Sequence, residues 1–381
     1  MMEIAEASLM LFCNNQYLTP VNIYAFCFFI VIFVTSKPAL AEPYLSIHTA
    51  LPCQSCHVNP TGGGMRNDYG RRYGNIDLVT EKGNNMFPDI GKLTEFLSIG
   101  GNYRTAFQQF ETPDITTKTS GFEIQSGQLY LHAKTGLHDL SLYIDQKVAP
   151  DRSITREFFL LKYFQNGHYL KAGKMIPFLG FKLEDDTAYV RQISGFNFNT
   201  HDSGIEYGIV TDSAIYRMAL NTGNSDSSNQ DGKYRKILGA EYYLDNWRLG
   251  ATYSVNPGIE SDTDTLALFA GYRWNDWSFL TELTYISDDS NTTNVFNRKQ
   301  LATIFEVNWK FQPGHNLKFT GEIYDPDRSI SGDHQVRHSL VYELTPISHI
   351  QYRMGMRLKE TPPEFVAQEL KQYFAQLHFY F

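Results

Sequence analysis

From about residue 95 onward, apolar and polar residues alternate along the chain with a period of two. Trp247 and Leu249 alternate with Arg248 and Thr252, and the same pattern returns in later segments. Because successive side chains of a β-strand point to opposite faces of a sheet, this alternation predicts strands with one apolar and one polar face. Sixteen such strands are predicted, starting near residues 96, 122, 139, 156, 168, 204, 214, 234, 247, 265, 277, 300, 316, 334, 349 and 369.

The connections between these segments alternate between short and long. Short ones include T-G-L-H-D, Q-N-G and T-P-I-S, and the long ones are rich in polar residues. Short turns on one rim and long loops on the other are typical of outer-membrane barrels, whose short turns face the periplasm, whereas a soluble sandwich gives no reason for this alternation. We therefore predict an all-β, transmembrane antiparallel barrel of about sixteen strands over residues 95–381. The predicted long loops are Glu111–Thr119, Ile176–Ser203, Gly223–Gly232, Asn256–Asp264, Ser287–Arg298 and Asp325–Asp333.

The last predicted strand supports this interpretation. It is an alternating aromatic strand that ends on Phe381 and has Tyr373, Ala375, Leu377 and Phe379 on the same face. It resembles the terminal strands that barrel assembly machinery of Gram-negative bacteria recognises. An even number of strands places both ends of the barrel at the periplasmic rim. A segment that precedes the first strand then starts on that side.

The longest predicted loop, Ile176–Ser203, has two open interpretations. It either folds inward and constricts a water-filled channel, as a sixteen-strand barrel allows, or it lies on the surface in solvent. The first interpretation brings charged side chains into the channel. These are Lys182, Glu184, Asp185, Asp186 and Arg191.

The N-terminal region carries an export signal. Ala25–Val34 is an uninterrupted apolar run, too short to span a bilayer, and Ala39 and Ala41 form an A-x-A cleavage pattern before Glu42. This pattern is typical of a secretory signal peptide, which we predict over residues 1–41. Export to the outer membrane of a Gram-negative bacterium follows from the leader and the barrel together.

A C-x-x-C-H motif lies between the leader and the first strand, within a segment that we assign to residues 42–92. Cys53 and Cys56 are the only thiols downstream of the leader, and His57 follows directly. This spacing is that of covalent haem c attachment, in which two thiols bind the porphyrin and the imidazole binds the iron as proximal ligand. A thioredoxin-like redox pair would need a βαβ context, and a structural zinc site would need a further ligand that His48 supplies only poorly. We predict one covalent haem in a small helical and irregular segment.

The second axial ligand of the iron remains open among three residues. Met86 lies far enough downstream for the chain to reach the distal face, and it is our first choice. Met65 follows a glycine triplet that gives the backbone unusual freedom, and His48 would give a bis-histidine site of lower potential. Arg66, Arg71 and Arg72 are candidate partners of the haem propionates, although an ordinary solvated face explains them equally well.

Composition and charge narrow the function. Aromatic residues make up 14% of the 381 residues, yet the mean hydropathy is −0.33, as expected for a barrel with an apolar outside and a polar lumen. The formal net charge of −8 lacks the basic footprint of a nucleic-acid-binding protein. We therefore expect lipid as a partner and no nucleic acid.

The leader, the single C-x-x-C-H unit at Cys53, Cys56 and His57, and the barrel ending on Phe381 together resemble the fused monohaem cytochrome–porin proteins of the outer membrane. Some members of that group are iron oxidases that accept electrons outside the cell. The resemblance implies a cytochrome-type oxidoreductase with ferrous iron as one candidate donor. The stretch V-N-P-T-G-G-G-M-R-N-D-Y-G after His57 departs from those iron oxidases, which weakens iron as the substrate.

Three functions follow from these features. The first is electron transfer between an extracellular donor or acceptor and periplasmic carriers, with the haem segment on the periplasmic side or in the barrel lumen. The second is a porin-type solute channel with a periplasmic haem segment for docking or gating. A hydrolytic barrel enzyme ranks last, because no Ser-His-Asp or paired-carboxylate constellation stands out.

Overall fold

The chain forms one closed antiparallel barrel of sixteen strands in the computed structural model, which describes residues 43–81, 90–112, 118–183, 185, 187–196, 200–224, 229, 231–292, 297–362 and 369–381. Each strand pairs with its neighbour in sequence, and β1 pairs with β16 to complete the circle. The predicted leader lies outside the described residues. The strands are β1 Leu97–Glu111, β2 Thr119–Lys134, β3 Leu140–Ala149, β4 Ile154–Tyr163, β5 Tyr169–Met175, β6 Asp202–Val210, β7 Ala214–Asn221, β8 Arg235–Leu244, β9 Trp247–Asn256, β10 Ser261–Trp274, β11 Trp277–Ser290, β12 Arg298–Gln312, β13 His315–Asp325, β14 Gln335–Leu344, β15 Ile350–Glu360 and β16 Leu370–Tyr380.

The described helices are short and are not part of the barrel wall. None is long and apolar enough, in the parts of the chain described, to cross a bilayer. They are α1 Pro43–Thr49, a 3-10 turn at Cys53–Ser55, α2 Asp68–Arg72, a π-helical turn at Tyr73–Asp77 and α3 Tyr189–Gln192.

The structure confirms the predicted fold class and the number of strands. Every observed strand begins within four residues of its predicted start. Each strand separates an apolar from a polar environment, so apolar and polar residues alternate strongly along it. This alternation locates the strands well in the sequence.

The alternation of connection lengths holds on one rim and only in part on the other. The rim that carries the β2–β3 connection, called the short-turn rim below, has connections of two to five residues throughout. The opposite rim, called the long-loop rim, carries the 26-residue connection 176–201 but also the four-residue connections 150–153 and 257–260. The predicted long loop Asn256–Asp264 is therefore wrong. Strand pairing continues through its polar residues, as between Asp262 and Asp289, because a backbone ladder does not need apolar side chains to persist.

The distribution of apolar and polar side chains between the outside and the inside of the barrel is the reverse of that in a soluble protein. The middle of β10 and β12 presents Leu268 and Phe305 to the outside, each 46% exposed, whereas Glu282 and Asn308 point inward and are buried. Apolar side chains outside and polar side chains inside are what a barrel needs when lipid surrounds it and its lumen is polar. The barrel also pairs all its strands in a circle, as bilayer-spanning sheets must.

An aromatic band follows the short-turn rim on the outer surface. The rings of Trp277 and Trp309 are stacked with centroids 5.1 Å apart, and Trp247 and Tyr272 are 4.4 Å apart on the neighbouring strands. Aromatic rings of this kind favour the boundary between lipid tails and head groups. The band marks the level at which one membrane interface meets the barrel.

Buried charges of the inner face are paired across strands. Lys171 contacts Glu206 with Nζ 2.8 Å from Oε2, and Lys318 contacts Glu343 at 3.2 Å. Pairing of this type reduces the cost of removing both charges from bulk water. The wall of the lumen is therefore a polar surface with fixed side chains.

A charge placed on the outer face tests whether this face meets lipid. We expect Leu268→Arg, at the middle of β10, to lower the free energy of unfolding in lipid vesicles by about 2–4 kcal/mol, because an arginine there would contact hydrocarbon. Leu137→Arg, at an exposed position of the β2–β3 turn, is the control and should change it by less than about 0.5 kcal/mol. Equal effects of the two substitutions, measured by urea titration, would contradict a lipid-facing outer surface.

Candidate functional site

The segment that precedes the barrel in sequence lies inside it. α1 packs against the inner faces of β10, β11 and β12, where Ile47 fills the space above Gly271. A Cβ atom at Gly271 would lie 2.4 Å from the Ile47 side chain, so the wall has room for α1 only because this position is glycine. The apolar cluster shared by α1, the inward loop and the wall includes Tyr44, Leu45, Ile47, Leu78, Val79, Phe181, Leu183, Val190, Phe269, Leu280 and Ile304.

Two arginines of the wall hold α1 by hydrogen bonds. Arg273 donates from Nη1 to the carbonyl oxygen of His48 at 3.0 Å, and Arg248 donates from Nη1 to the Ser46 hydroxyl at 3.1 Å. Burial, followed by the charges of Lys310 and Arg273, lowers the pKa of His48 to about 4. His48 is therefore neutral at neutral pH and packed against the β10–β12 wall.

The C-x-x-C-H motif forms a compact turn directly after α1. The N–H groups of Cys56 and His57 both donate to the carbonyl oxygen of Cys53, at 3.1 and 3.0 Å. Cys53 and Cys56 carry free, half-buried thiols, and burial raises the pKa of Cys56. The turn brings the two thiols and the His57 imidazole to the edge of one cavity.

The Asn67 side chain holds this turn in place by hydrogen bonds to its backbone. Its Nδ2 donates to the carbonyl oxygens of Gln54 and Ser55 at 3.1 Å and of His57 at 3.3 Å. Its Oδ1 accepts from the N–H of Gly70 at 2.9 Å and caps the N-terminus of α2. One side chain therefore joins the motif to the following helix, and the sequence alone did not single it out.

Gly70 allows α2 to rest against the motif. A Cβ atom at this position would lie 2.0 Å from the carbonyl oxygen of Cys56, far inside any real contact. No residue with a side chain fits there while the helix keeps its position. Two contacts therefore explain the sequence N-D-Y-G: the side-chain amide of Asn67 bonds the turn, and Gly70 lets the backbones of α2 and the motif approach closely.

The glycine triplet Gly62–Gly64 lets the chain reverse within three residues. All three have left-handed backbone conformations, with φ of 85°, 73° and 61°, which other residues adopt at a cost of about 1–2 kcal/mol each. Side chains here would also collide: a Cβ at Gly62 meets Cys53 at 2.9 Å, and one at Gly64 meets the Tyr143 hydroxyl at 2.1 Å. The triplet carries the chain between the Cys53 thiol and the barrel wall.

The residues on both sides of the triplet anchor the reversal to the wall of β2 to β6. Asn59 donates to both carboxylate oxygens of Glu157 at 3.0 Å, and the N–H of Met65 donates to the Tyr143 hydroxyl at 3.1 Å. The thioether of Met65 is buried in a cluster that includes Tyr130 and Tyr143. Met65 therefore packs against the wall and is not among the residues that line the cavity at the motif.

His57, the last residue of the motif, pairs with Arg66 in an isolated β-bridge. Arg66 places its guanidinium 4.0 Å from the centre of the Tyr380 ring. Burial, followed by the charges of Arg66 and Lys182, lowers the pKa of His57 to about 3, so the imidazole is neutral at neutral pH. Hydrogen bonding to the backbone of Gly64 and Met65 opposes part of this lowering of the pKa.

A single large cavity begins at the motif. It has a volume of about 1370 Å³ and is lined by Cys53, Cys56 and His57. Along β16 the lining residues run from Leu370 to Tyr380, which are the first and last residues of that strand. At about 3.4 Å per residue the cavity therefore extends over about 35 Å of strand, from the motif to the long-loop rim.

Two basic residues next to the motif come from distant parts of the chain. Arg248 of β9 places Nη2 3.8 Å from Sγ of Cys53, and Lys182 of the loop after β5 lies against Gly63. Sequence reasoning placed Lys182 in the channel under one interpretation of its loop, but it connected neither residue with the motif, because nothing in their neighbourhood in the chain relates them to residues 53–57. In the sequence, only the place of Arg248 among the polar positions of the alternating pattern of β9 indicated that it faces the lumen.

The three arginines that the sequence offered as partners of haem propionates lie in different surroundings. Arg66 lines the cavity, whereas Arg71 contacts Asp68 at the exposed side of α2 and Arg72 is exposed. Of the residues described, only Arg66 among these three lies where it can face a group bound at the motif. Met86 lies outside the described residues.

The longest loop folds into the lumen, as one of its two interpretations predicted. The Phe181 N–H donates to Glu282 at 2.6 Å, and the Tyr189 N–H donates to Glu322 at 2.8 Å. Arg191 pairs with Glu282 as well, and Asp185 pairs with Arg357 on β15. Glu184 and Asp186 lie outside the described residues. The loop narrows the lumen beside the motif and contributes Lys182 to the cavity.

Comparison with known proteins identifies the fold and nothing finer. No protein-family model matches the chain, and no curated protein is similar to it in sequence. Among solved structures, an anion-selective porin from Comamonas acidovorans is 8% identical, with a TM-score of 0.59 over 75% of this chain and 99% of that one. OprB of Pseudomonas putida is 10% identical, with a TM-score of 0.57 over 81% of this chain and all of that one.

OmpT of Vibrio cholerae, in a form with one loop deleted, is a third similar structure. It is 10% identical, with a TM-score of 0.56 over 75% of this chain and 99% of that one. At these identities the similarity establishes a shared sixteen-strand, porin-like barrel. The 75% of this chain that two of these similarities cover is close to the share of the chain that residues 95–381 make up. The similarity therefore concerns the barrel.

Substitution of one glycine of the triplet tests the packing beneath the motif. We expect Gly64→Ala to destabilise the protein by more than the strain of a left-handed residue alone, which is about 1–2 kcal/mol, because its Cβ would collide with the Tyr143 hydroxyl. Gly167→Ala is the matched control: its φ is 80° and a Cβ there meets nothing within 4 Å. Thermal unfolding in detergent, followed by circular dichroism, measures the difference.

The double variant Gly64→Ala/Tyr143→Phe separates collision from strain. Removal of the hydroxyl oxygen should recover part of the stability lost in Gly64→Ala. If the double variant were less stable than either single variant, the proposed collision would be wrong.

Proposed function

We propose that this chain is an outer-membrane protein that carries one covalent haem c inside a porin-like barrel. Cys53 and Cys56 bind the porphyrin, and His57 is the proximal ligand of the iron. A haem held by these residues would supply a one-electron redox centre between periplasmic carriers on one side and a donor or acceptor that enters from the long-loop rim on the other. This makes the protein a cytochrome-type oxidoreductase.

One observation carries the proposal: the motif lies in the lumen, at the edge of a cavity that reaches the long-loop rim. The apolar band of an outer-membrane barrel is roughly 25 Å tall. The cavity extends over about 35 Å of strand, so it spans this band and lets a small donor or acceptor move from the long-loop rim to the motif. The position of the motif therefore supports transfer across the membrane by a single haem that the external partner reaches through the lumen.

The residues at the motif fit a covalent haem in several respects. The neutral imidazole of His57 is the form that binds iron, and hydrogen bonding to the backbone of Gly64 and Met65 would fix the orientation of its ring. The cavity of about 1370 Å³ exceeds the usual range of small-molecule sites, about 300–1,000 Å³. No group of three or more His, Cys, Asp or Glu side chains in the described chain is placed to share one metal ion. Haem attachment needs no such convergence, because only His57 of the three binds the iron.

The residues around the motif would position the group and balance its charge. Asn67 and Gly70 fix the shape of the turn that carries both thiols. Arg66, Arg248 and Lys182 supply positive charge within the cavity, where propionates would be charge-assisted partners. The bound haem would supply a one-electron redox centre, and these side chains would hold it in a fixed orientation. Met86 remains our proposed distal ligand, since Met65 and His48 are packed against the wall.

The barrel supports the proposed location. Its outer face is apolar, its lumen is polar, and its fold is that of outer-membrane porins. The aromatic band at the short-turn rim would then lie at the periplasmic interface, with lipid around the barrel. The motif would enter the lumen from the periplasmic side, where periplasmic carriers can approach.

A solute channel is the second candidate function. The similarity to porins and the large cavity favour it. In that case the N-terminal segment would act as an internal constriction, and the haem would serve docking or gating. The two functions differ in one respect: conductance that survives removal of both thiols supports the channel.

The test is a spectroscopic one on purified protein. We expect a c-type absorption spectrum and haem that stays on the chain after denaturation, and we expect both to be lost in Cys53→Ser/Cys56→Ser. The ferric spectrum also distinguishes a methionine from a histidine as distal ligand. In liposomes, the haem should be reduced by an impermeant donor added outside. Haem-free wild-type protein from cells that mature other c-type cytochromes would overturn the proposal.

Asn67 allows a finer test of how the motif is held. We expect Asn67→Ala to lower the fraction of chains with covalent haem by about threefold or more, because loss of several buried hydrogen bonds costs about 1 kcal/mol each. Asn67→Asp keeps the acceptor for Gly70 and loses the three donations, so it should behave like Asn67→Ala. Asn166→Ala, in the β4–β5 turn, is the control and should bind haem like wild type. Haem-stained gels normalised to protein give the fractions.

A further inference from the structure

The lumen cavity has a charge opposite to that of the whole protein. The chain carries a formal net charge of −8, yet ten cationic side chains and three carboxylates line the cavity among the described residues. The carboxylates are Glu123, Asp151 and Asp185. The cationic residues are Arg66, Arg104, Lys147, Arg156, Lys182, Arg248, Arg337, Arg353, Arg357 and Lys359.

Carboxylates of the wall behind the cavity neutralise part of this charge. Four of the arginines pair with acidic residues that do not line the cavity, at distances of 2.5–3.4 Å. Two of the three lining carboxylates are paired as well, Asp151 with Lys147 and Asp185 with Arg357. The surface of the cavity itself still carries seven more cationic side chains than carboxylates among the described residues. The four pairs are Arg156–Asp145, Arg248–Glu241, Arg337–Glu322 and Arg353–Glu343.

The positive charge extends from the motif to the long-loop rim. Arg66 and Lys182 lie at the motif. At the other end, Lys359 is one residue from the end of β15, and Lys147 is two residues from the end of β3. Arg357 lies between these levels on the same face of β15 as Lys359. An entering molecule therefore meets cationic side chains along the whole cavity.

We propose that this cavity is an anion-binding well, and that small anions are the class of redox partner that reaches the motif from the long-loop rim. This rests on the proposed function and names its substrate class. A cleft lined by one sign of charge concentrates counter-ions and raises their association rates by about 10- to 1,000-fold. Guanidinium groups bind oxyanions and carboxylates in a forked geometry. The same field repels a divalent metal cation such as ferrous iron.

The redox step on this proposal is a one-electron exchange. In the donor direction, the anion loses one electron and the ferric haem gains it, and no bond forms or breaks. In the acceptor direction the electron moves the other way. The cavity residues bind and steer the anion but do not react.

The sign of the salt dependence tests the proposal in the holoprotein. Dithionite serves as anionic donor and hexaammineruthenium(II) as cationic donor, and stopped-flow absorption follows reduction of the haem. The Debye length falls from about 30 Å at 0.01 M to about 3 Å at 1 M ionic strength. Over that range we expect the rate with dithionite to fall and the rate with hexaammineruthenium(II) to rise. The opposite signs, or equal dependence for both donors, would overturn the proposal.

A charge variant and a matched control localise the effect. Lys147→Gln/Lys359→Gln removes two lining charges outside the buried arginine pairs, and should slow dithionite reduction at low salt by about threefold or more. Lys299→Gln removes an exposed charge of β12 near the same rim that does not line the cavity, and should leave the rate unchanged. An equal slowing in both variants would assign the effect to overall charge and overturn the proposal.

A binding measurement separates this proposal from the function on which it rests. Equilibrium dialysis with radiolabelled sulfate at low salt requires no haem. We expect saturable binding that weakens in Lys147→Gln/Lys359→Gln and persists in Lys299→Gln. Sulfate binding in a protein without haem would overturn the proposed function and leave the well, whereas haem without saturable sulfate binding would overturn the well.

Discussion

The closed hydrogen-bond circle of the barrel is the constraint on which the rest of the structure depends. In a hydrocarbon environment every backbone N–H and C=O must find a partner within the protein, and β1 meets β16 so that no strand edge is left. Closure fixes an outside that must be apolar and an inside that is free to be polar. The inside of a sixteen-strand barrel is too wide for its own side chains to fill. The N-terminal segment and the loop after β5 occupy that space.

The contents of the lumen are held by two kinds of contact. Apolar contacts dominate at α1, where Ile47 lies on Gly271 and the inward loop closes over the same cluster. Polar contacts dominate near the motif, where Asn59 meets Glu157 and Arg248 meets Ser46. The polar contacts use charged side chains of the wall, Glu157 and Arg248. The result is a segment of about forty residues that needs the barrel for its shape, since so small a chain cannot bury enough surface by itself.

The barrel could be predicted from the sequence, whereas most of the site could not. Alternation such as that from Trp247 to Ser254 is a local signal, and it located each strand to within four residues. The loop Asn256–Asp264 was wrong because pairing continues where the alternation of polarity stops. Cys53, Cys56 and His57 could be named as a candidate site because the motif places them next to one another in sequence. Arg248 and Lys182 could not be connected with it, because closure of the barrel, and no local pattern, brings Arg248 to Cys53 and Lys182 to Gly63.

The position of the motif inside the barrel has a consequence for the order of biogenesis. An enzyme that attaches haem must reach both thiols, and no such enzyme fits through the lumen of a sixteen-strand barrel. If the chain carries the proposed haem, attachment would therefore come before the strands close. Residues 43–81 precede every strand, and the hydrogen bonds that Asn67 makes to Gln54, Ser55, His57 and Gly70 involve no strand, so the turn at the motif can form at that stage. On the proposed function, barrel assembly would then enclose a segment that already carries its cofactor, and a chain that closed without haem could no longer acquire it.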